Sequence, residues 1–124
     1  MVDCIKLSNT WFIDIDGVIF PHNGYLDTGE GESETPLPGV VAFFNSLESN
    51  DMIILCTARD ERYRNETESS LTAAGLHYDL LIMGLPTGRR IIINDRKDSG
   101  MKTAFAVNVA RNKGLLNVVE RFVD

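Results

Sequence analysis

The sequence predicts an α/β fold: a three-layer, Rossmann-like parallel sheet with helices on both faces. Two patterns carry this expectation. Short apolar runs alternate with segments of helical period, as in repeated strand–helix–strand units. The runs, such as Met52-Ile53-Ile54-Leu55-Cys56, are continuously apolar rather than alternating, as parallel strands buried on both sides are. A third observation points to function. Polar residues gather where these runs end, at the rim where open α/β sheets bind ligands.

Each element follows from its local pattern. Trp11, Phe12, Ile13, Asp14 and Ile15 are aromatic, β-branched or at the run's end, and read as the first strand. Residues 17–37 are rich in Gly, Glu, Thr and Pro, carry no period and read as a loop, with a small hairpin at Asn23-Gly24. Pro36 and Pro38 open a helix whose Val40, Phe43, Phe44 and Leu47 recur at i, i+3, i+4, i+7. Residues 52–56 form the second strand, with Cys56 as a small core residue. Asp60 caps the next helix, Tyr63, Thr67, Leu71 and Ala74 form its inner face, and Gly75 ends it. Residues 79–83, 90–94 and 104–109 read as the third, fourth and fifth strands, and 114–122 as a closing amphipathic helix.

Length and composition bound the function. The 124 residues fit a single domain, 1–124, without repeats or linkers. Such a chain buries roughly 65% of its unfolded surface, enough for a core without staples. With 44% hydrophobic and 24% charged residues it has an ordinary globular composition. The net charge of −6 argues against nucleic acid or an anionic membrane as partner, since both need a basic face. No apolar run approaches the ~20 residues that span a bilayer. The first six residues lack a basic flank and a long apolar core, and Cys4 and Cys56 have no metal-type spacing. A cytoplasmic chain with reduced cysteines is therefore expected.

The chemistry centres on Asp14 and Asp16. Residues i and i+2 of a strand point the same way, so two carboxylates stand side by side at a strand end. Buried carboxylates call for a partner: a metal, a proton relay or a covalent role. Thr57, Arg59 and Asp60 follow the second strand, and Asn94, Asp95 and Arg96 follow the fourth. Each taken singly is explained by a turn or a cap; together they place acids, a hydroxyl and guanidinium groups on one rim. A hard cation such as Mg²⁺ takes oxygen ligands of this kind. A carboxylate can also attack phosphorus, with a second acid protonating the leaving oxygen and later deprotonating water. A metal would neutralise charge between nucleophile and phosphate. Thr57 offers a donor to a phosphate oxygen, and Gly17 lets the backbone approach a ligand closely.

Asp14-Ile15-Asp16-Gly17-Val18 resembles the first motif, Asp-x-Asp-Gly-[Thr/Val], of the haloacid-dehalogenase-like (HAD) superfamily. Leu55-Cys56-Thr57-Ala58-Arg59 is similar to its second motif and Ile92-Ile93-Asn94-Asp95-Arg96 to its fourth, in the same order, so the resemblance covers residues 11–109. It implies that Asp14 is nucleophile and metal ligand, and that Asp16 is the general acid/base with its carbonyl on Mg²⁺. It implies phosphate binding by Thr57, with Ala58, Arg59 and Gly17 around it, and metal binding by Asp95 with Asn94. The family usually has two acids in the fourth motif, and Asn94 departs from that. The third-motif lysine falls at Leu85; Arg89, ahead of the fourth strand, is the preferred substitute, with Arg90, Lys97 and Lys102 as others. The intervals between motifs are too short for a cap domain. A capless member leaves its site open, to a large substrate or to a neighbouring subunit of a homo-oligomer that closes it. His22, Asn23 and Tyr25 of the 19–37 loop would then touch substrate, although a loop histidine such as His22 is more simply solvated. His77 and Trp11 read as structural, and the acidic run from Glu30 to Glu34 as solvated loop.

The expected function is thus a Mg²⁺-dependent phosphatase working through an aspartyl-phosphate on a sugar or nucleotide phosphomonoester. Leu85 and Asn94 motivate an alternative, a catalytically reduced HAD module that binds a phosphorylated ligand or partner. A receiver-like phospho-acceptor domain fits less well, because it carries its acceptor on a middle strand.

Overall fold

A computed structural model describes residues 7–22, 34–116 and 118. Within them the chain is α/β, with strands β1 (Thr10–Asp14), β2 (Met52–Cys56) and β3 (Leu80–Ile82) in a parallel sheet of order β1-β2-β3. Helix α1 (Val40–Ser46) links β1 to β2. A 3-10 turn (Glu61–Tyr63) running into helix α2 (Arg64–Ala73) links β2 to β3.

Register places Ile54 between Phe12 and Leu80, and Leu55 between Ile13 and Leu81. Period-2 alternation then gives the sheet two faces. The face carrying Ile13, Ile53, Leu55 and Leu81 packs into one core with Val40, Phe43 and Phe44 of α1 and Leu71 of α2. Trp11 and Phe43 meet edge to face at 5.5 Å between ring centres. The opposite face is only partly covered: Phe12 is 55% exposed and Leu80 48%, while Ile54 between them is buried.

Acids secure the strand starts. Asp51 accepts hydrogen bonds from Asn9 N–H and from the Trp11 indole N–H, both at 2.9 Å, tying β1 to β2. Asp79 accepts from Ile53 N–H at 2.8 Å, tying β3 to β2. Asp60 accepts from Arg62 N–H as the expected cap, and Gly75 follows α2 with a φ of 74°. The chain returns to the start of α1 near its end. Leu115 N–H donates to Pro38 O at 2.9 Å, and a Cβ on Gly114 would overlap that same carbonyl.

Three expectations are corrected. Residues 90–94 and 104–109 form no strand; 89–102 are exposed throughout, including Ile91 at 79% and Ile93 at 95%. Val107 and Val109 do lean on the core, but without a ladder. Consequently β1 is an edge strand among the described residues, and helices cover one sheet face there instead of two. Cys56 is half-buried on the partly covered face instead of sealed in the core. The Asn23-Gly24 hairpin and most of the 114–122 helix lie outside the described residues. No described helix is long and apolar enough to cross a membrane.

Candidate functional site

The site begins where β1 ends. After Asp14 the backbone folds tightly: Ile15 O accepts from the N–H groups of Val18, Ile19 and Phe20, and Gly17 N–H donates to Phe20 O at 2.7 Å. Gly17 adopts a φ of +86°, and a Cβ there would press on Arg111 Cγ at 3.2 Å. Its close approach within the protein is to the chain's own 111–112 turn. Asn112 N–H bonds Gly17 O at 2.9 Å, and Asn112 Oδ1 accepts from His22 N–H at 2.7 Å.

This turn carries the Asp16 side chain towards β2. Its Oδ2 accepts the Thr57 hydroxyl at 3.1 Å, while Thr57 Oγ1 accepts Arg59 N–H at 3.0 Å. Thr57 and Arg59 are fully buried. All five N–H bonds of the Arg59 guanidinium have acceptors. Nε–H is shared between both Asp16 oxygens at 3.2 Å. The Nη2 group reaches Asp16 Oδ1 at 2.9 Å and Glu34 Oε2 at 2.6 Å. The Nη1 group reaches Glu34 Oε1 at 2.9 Å and Thr67 Oγ1 at 3.1 Å. Burial disfavours the guanidinium charge, but the Glu34 and Asp16 hydrogen bonds outweigh it, and Arg59 is held more firmly protonated than in water. No donor is left over, so Arg59 as arranged here is a clamp on carboxylates and not the phosphate ligand the motif suggested. Ala58 lies between these two anchors, half-buried.

Asp14 stands apart from this cluster. Its Oδ1 accepts Ile15 N–H at 2.9 Å. Partial burial holds its carboxyl above the usual carboxylate range; the Ile15 N–H, Arg90 and His22 pull it down, and Asp16 pushes it up. Arg90 thus acts on Asp14, and it acts on Cys56 in the same sense. Its Nη1 is steadied by Pro86 O at 3.0 Å and Gly88 O at 2.8 Å. Arg89, preferred from sequence for the third-motif cation, is exposed. His77 is exposed as well.

The fourth-motif acid Asp95 joins no cluster of metal-ligating side chains among the described residues. Asn94 and Asp95 lie in an exposed loop, where Asn94 Nδ2 donates to Thr103 Oγ1 at 2.9 Å and the Thr103 hydroxyl donates to Asp95 O. Among the described residues no three His, Cys, Asp or Glu side chains converge as metal ligands. The Asp16 carboxylate is committed to Arg59 and Thr57, which leaves its backbone carbonyl as the donor expected from sequence. The side chains of Asp14, Asp16 and Asp95 do not assemble as a ligand cluster among the described residues.

Two participants escaped the sequence reading. Glu34 belongs to an acidic run read as solvated, yet its side chain is only 3% exposed. Thr67 was placed correctly on the inner face of α2, but nothing in its spacing pointed to Arg59. Asn23 and Tyr25 lie outside the described residues. Compared with protein-family models, curated proteins and solved structures, the chain finds no match in any of the three.

Proposed function

We propose that this chain is a phosphomonoester hydrolase built on a capless HAD-like core, with Asp14 as nucleophile and Asp16 as general acid/base. One observation carries the reading. Asp14 ends β1 with its carboxylate unclaimed by any side-chain hydrogen bond among the described residues, while Asp16, two residues on, is fixed by Thr57 and Arg59. That division suits one group that reacts and one held in place. In the first step an Asp14 oxygen bonds to phosphorus as the bond to the leaving oxygen breaks, and Asp16, which this step requires to be protonated against its ion pair with Arg59, gives that oxygen its proton. In the second, water attacks the aspartyl-phosphate, Asp16 takes the water proton, and phosphate leaves with Asp14 restored. Arg90, whose charge lowers the Asp14 carboxyl, is the proposed substitute for the cation missing at Leu85. No step is routed through a metal, because the side-chain donors do not assemble among the described residues. A sugar or nucleotide phosphate is the proposed substrate class. Phosphate release from a panel of such esters tests the proposal. Asp14→Ala should abolish it with the fold intact, and wild-type turnover in that variant would refute the mechanism.

A second reading, a module that binds a phosphorylated ligand without hydrolysing it, is favoured by the finding that no ligand cluster joins Asp95 to Asp14 and Asp16 among the described residues. Retained binding of a phosphate ester with no turnover by the wild-type chain would establish it.

A further inference from the structure

We infer that Glu34 and Arg59 are positioning residues for Asp16: Glu34 fixes the guanidinium, and the guanidinium fixes the carboxylate that handles the proton. The inference rests on the hydrolase reading and specifies how its acid is held.

A guanidinium is planar, and its five donors leave in fixed directions. Here one edge, Nε and Nη2, grips Asp16. The other, Nη1 and Nη2, grips Glu34 at 2.9 and 2.6 Å. Thr67 takes the remaining Nη1 hydrogen at 3.1 Å. With both edges occupied the plane cannot rotate without breaking a charge-assisted hydrogen bond in a buried setting. Asp16 inherits that rigidity, since Thr57 alone would leave its carboxylate a single tether. Stability is a poor account of the cluster, because buried ion pairs are often no better than apolar residues of similar volume. Placement of a reacting group is a better one, since small misplacements of such a group cost rate. Among the described residues the hydrogen bonds of the Glu34 carboxylate all go to the far edge of Arg59, so it acts through Arg59 and not on substrate.

The experiment compares kcat/KM of wild type, Glu34→Ala, Glu34→Gln and Arg59→Lys on an alkyl and an aryl ester, glycerol phosphate and p-nitrophenyl phosphate. This parameter reports steps up to loss of the leaving group. An alkoxide needs a proton from Asp16 to leave, whereas p-nitrophenolate does not. The expected result is a loss on glycerol phosphate about tenfold or more beyond the loss on p-nitrophenyl phosphate, a share of the ~10²–10⁴ that general acids supply. Gln, which keeps one acceptor oxygen, should recover part of it. Equal losses on both esters, or none on either, would overturn the positioning role while leaving the hydrolase reading standing. Wild-type protein that turns over neither ester would overturn both. Should Glu34→Ala not fold, Glu34→Gln carries the same comparison.

Discussion

Arg59 and Asp16, 43 residues apart in the chain, meet side on: Nη2 lies 2.9 Å from Oδ1, and Nε is shared between both carboxylate oxygens. The contact fastens the turn after β1 to the end of β2. It also separates two acids that the sequence sets side by side. Asp16 becomes a fixed group and Asp14 an available one.

Removing the clamp should be costly. Arg59→Met leaves Asp16 and Glu34 without their shared cation in a buried setting. A loss of about 3–5 kcal/mol is expected, as for other buried pairs broken from one side. Urea unfolding measures it. Arg59→Met combined with Asp16→Asn and Glu34→Gln should recover much of the loss, because no orphaned charge then remains. An unchanged midpoint in the single variant would show that Arg59 is not the cluster's charge balance.

The Asp14 carboxyl gives a pH signature. Burial raises it above its ordinary 3.8, so the folded state holds this proton more tightly than the unfolded chain does. Its contribution is complete below 3.8 and is lost as pH rises through the folded value. At neutral pH ionised Asp14 therefore weighs against folding. Asp14→Asn should raise the urea midpoint at neutral pH, and the gain should vanish in acid. A lowered midpoint at neutral pH would contradict the sign.

Cys56 reports on Arg90. Burial pushes its thiol above the ordinary 9.0, Arg90 pulls it down, and Asp14 pushes it up. In a Cys4→Ser background, Arg90→Ala should slow alkylation of Cys56 at a fixed mildly alkaline pH, by shifting its pH–rate profile upward. Arg89→Ala should leave that profile in place. The reverse pattern would make Arg89 the cation near Asp14.

The return of the chain to α1 depends on Gly114. Its φ of +87° and the Pro38 carbonyl leave no room for a side chain. Gly114→Ala should cost on the order of 1–3 kcal/mol by thermal or urea unfolding. A neutral result would mean that this junction relaxes freely.

Much of this was legible in the residues. The run from Met52 to Cys56 is β2, the i, i+3, i+4 spacing of Val40, Phe43 and Phe44 is the buried stripe of α1, and Asp60 caps as expected. These features are local, and local patterns decide them. Residues 90–94 were misread because an apolar run records a preference for burial without naming a pairing partner, and pairing is non-local. Glu34 reads as solvated for a related reason: a charged side chain looks solvated until the fold brings it a counter-charge, and Arg59 lies 25 positions away. Arg59 is expected on a phosphate, and its carboxylate partners, 25 and 43 positions away, are equally non-local. Asp14, Asp16 and Thr57 read as a group, and among the described residues the side-chain hydrogen bonds join the last two.

The most direct test of Asp14 as nucleophile is mass analysis of its peptide after acid quench during turnover of a phosphate ester. The mechanism predicts one phosphoryl group on the peptide bearing Asp14, absent in Asp14→Ala. Steady phosphate release with that peptide never modified would contradict it.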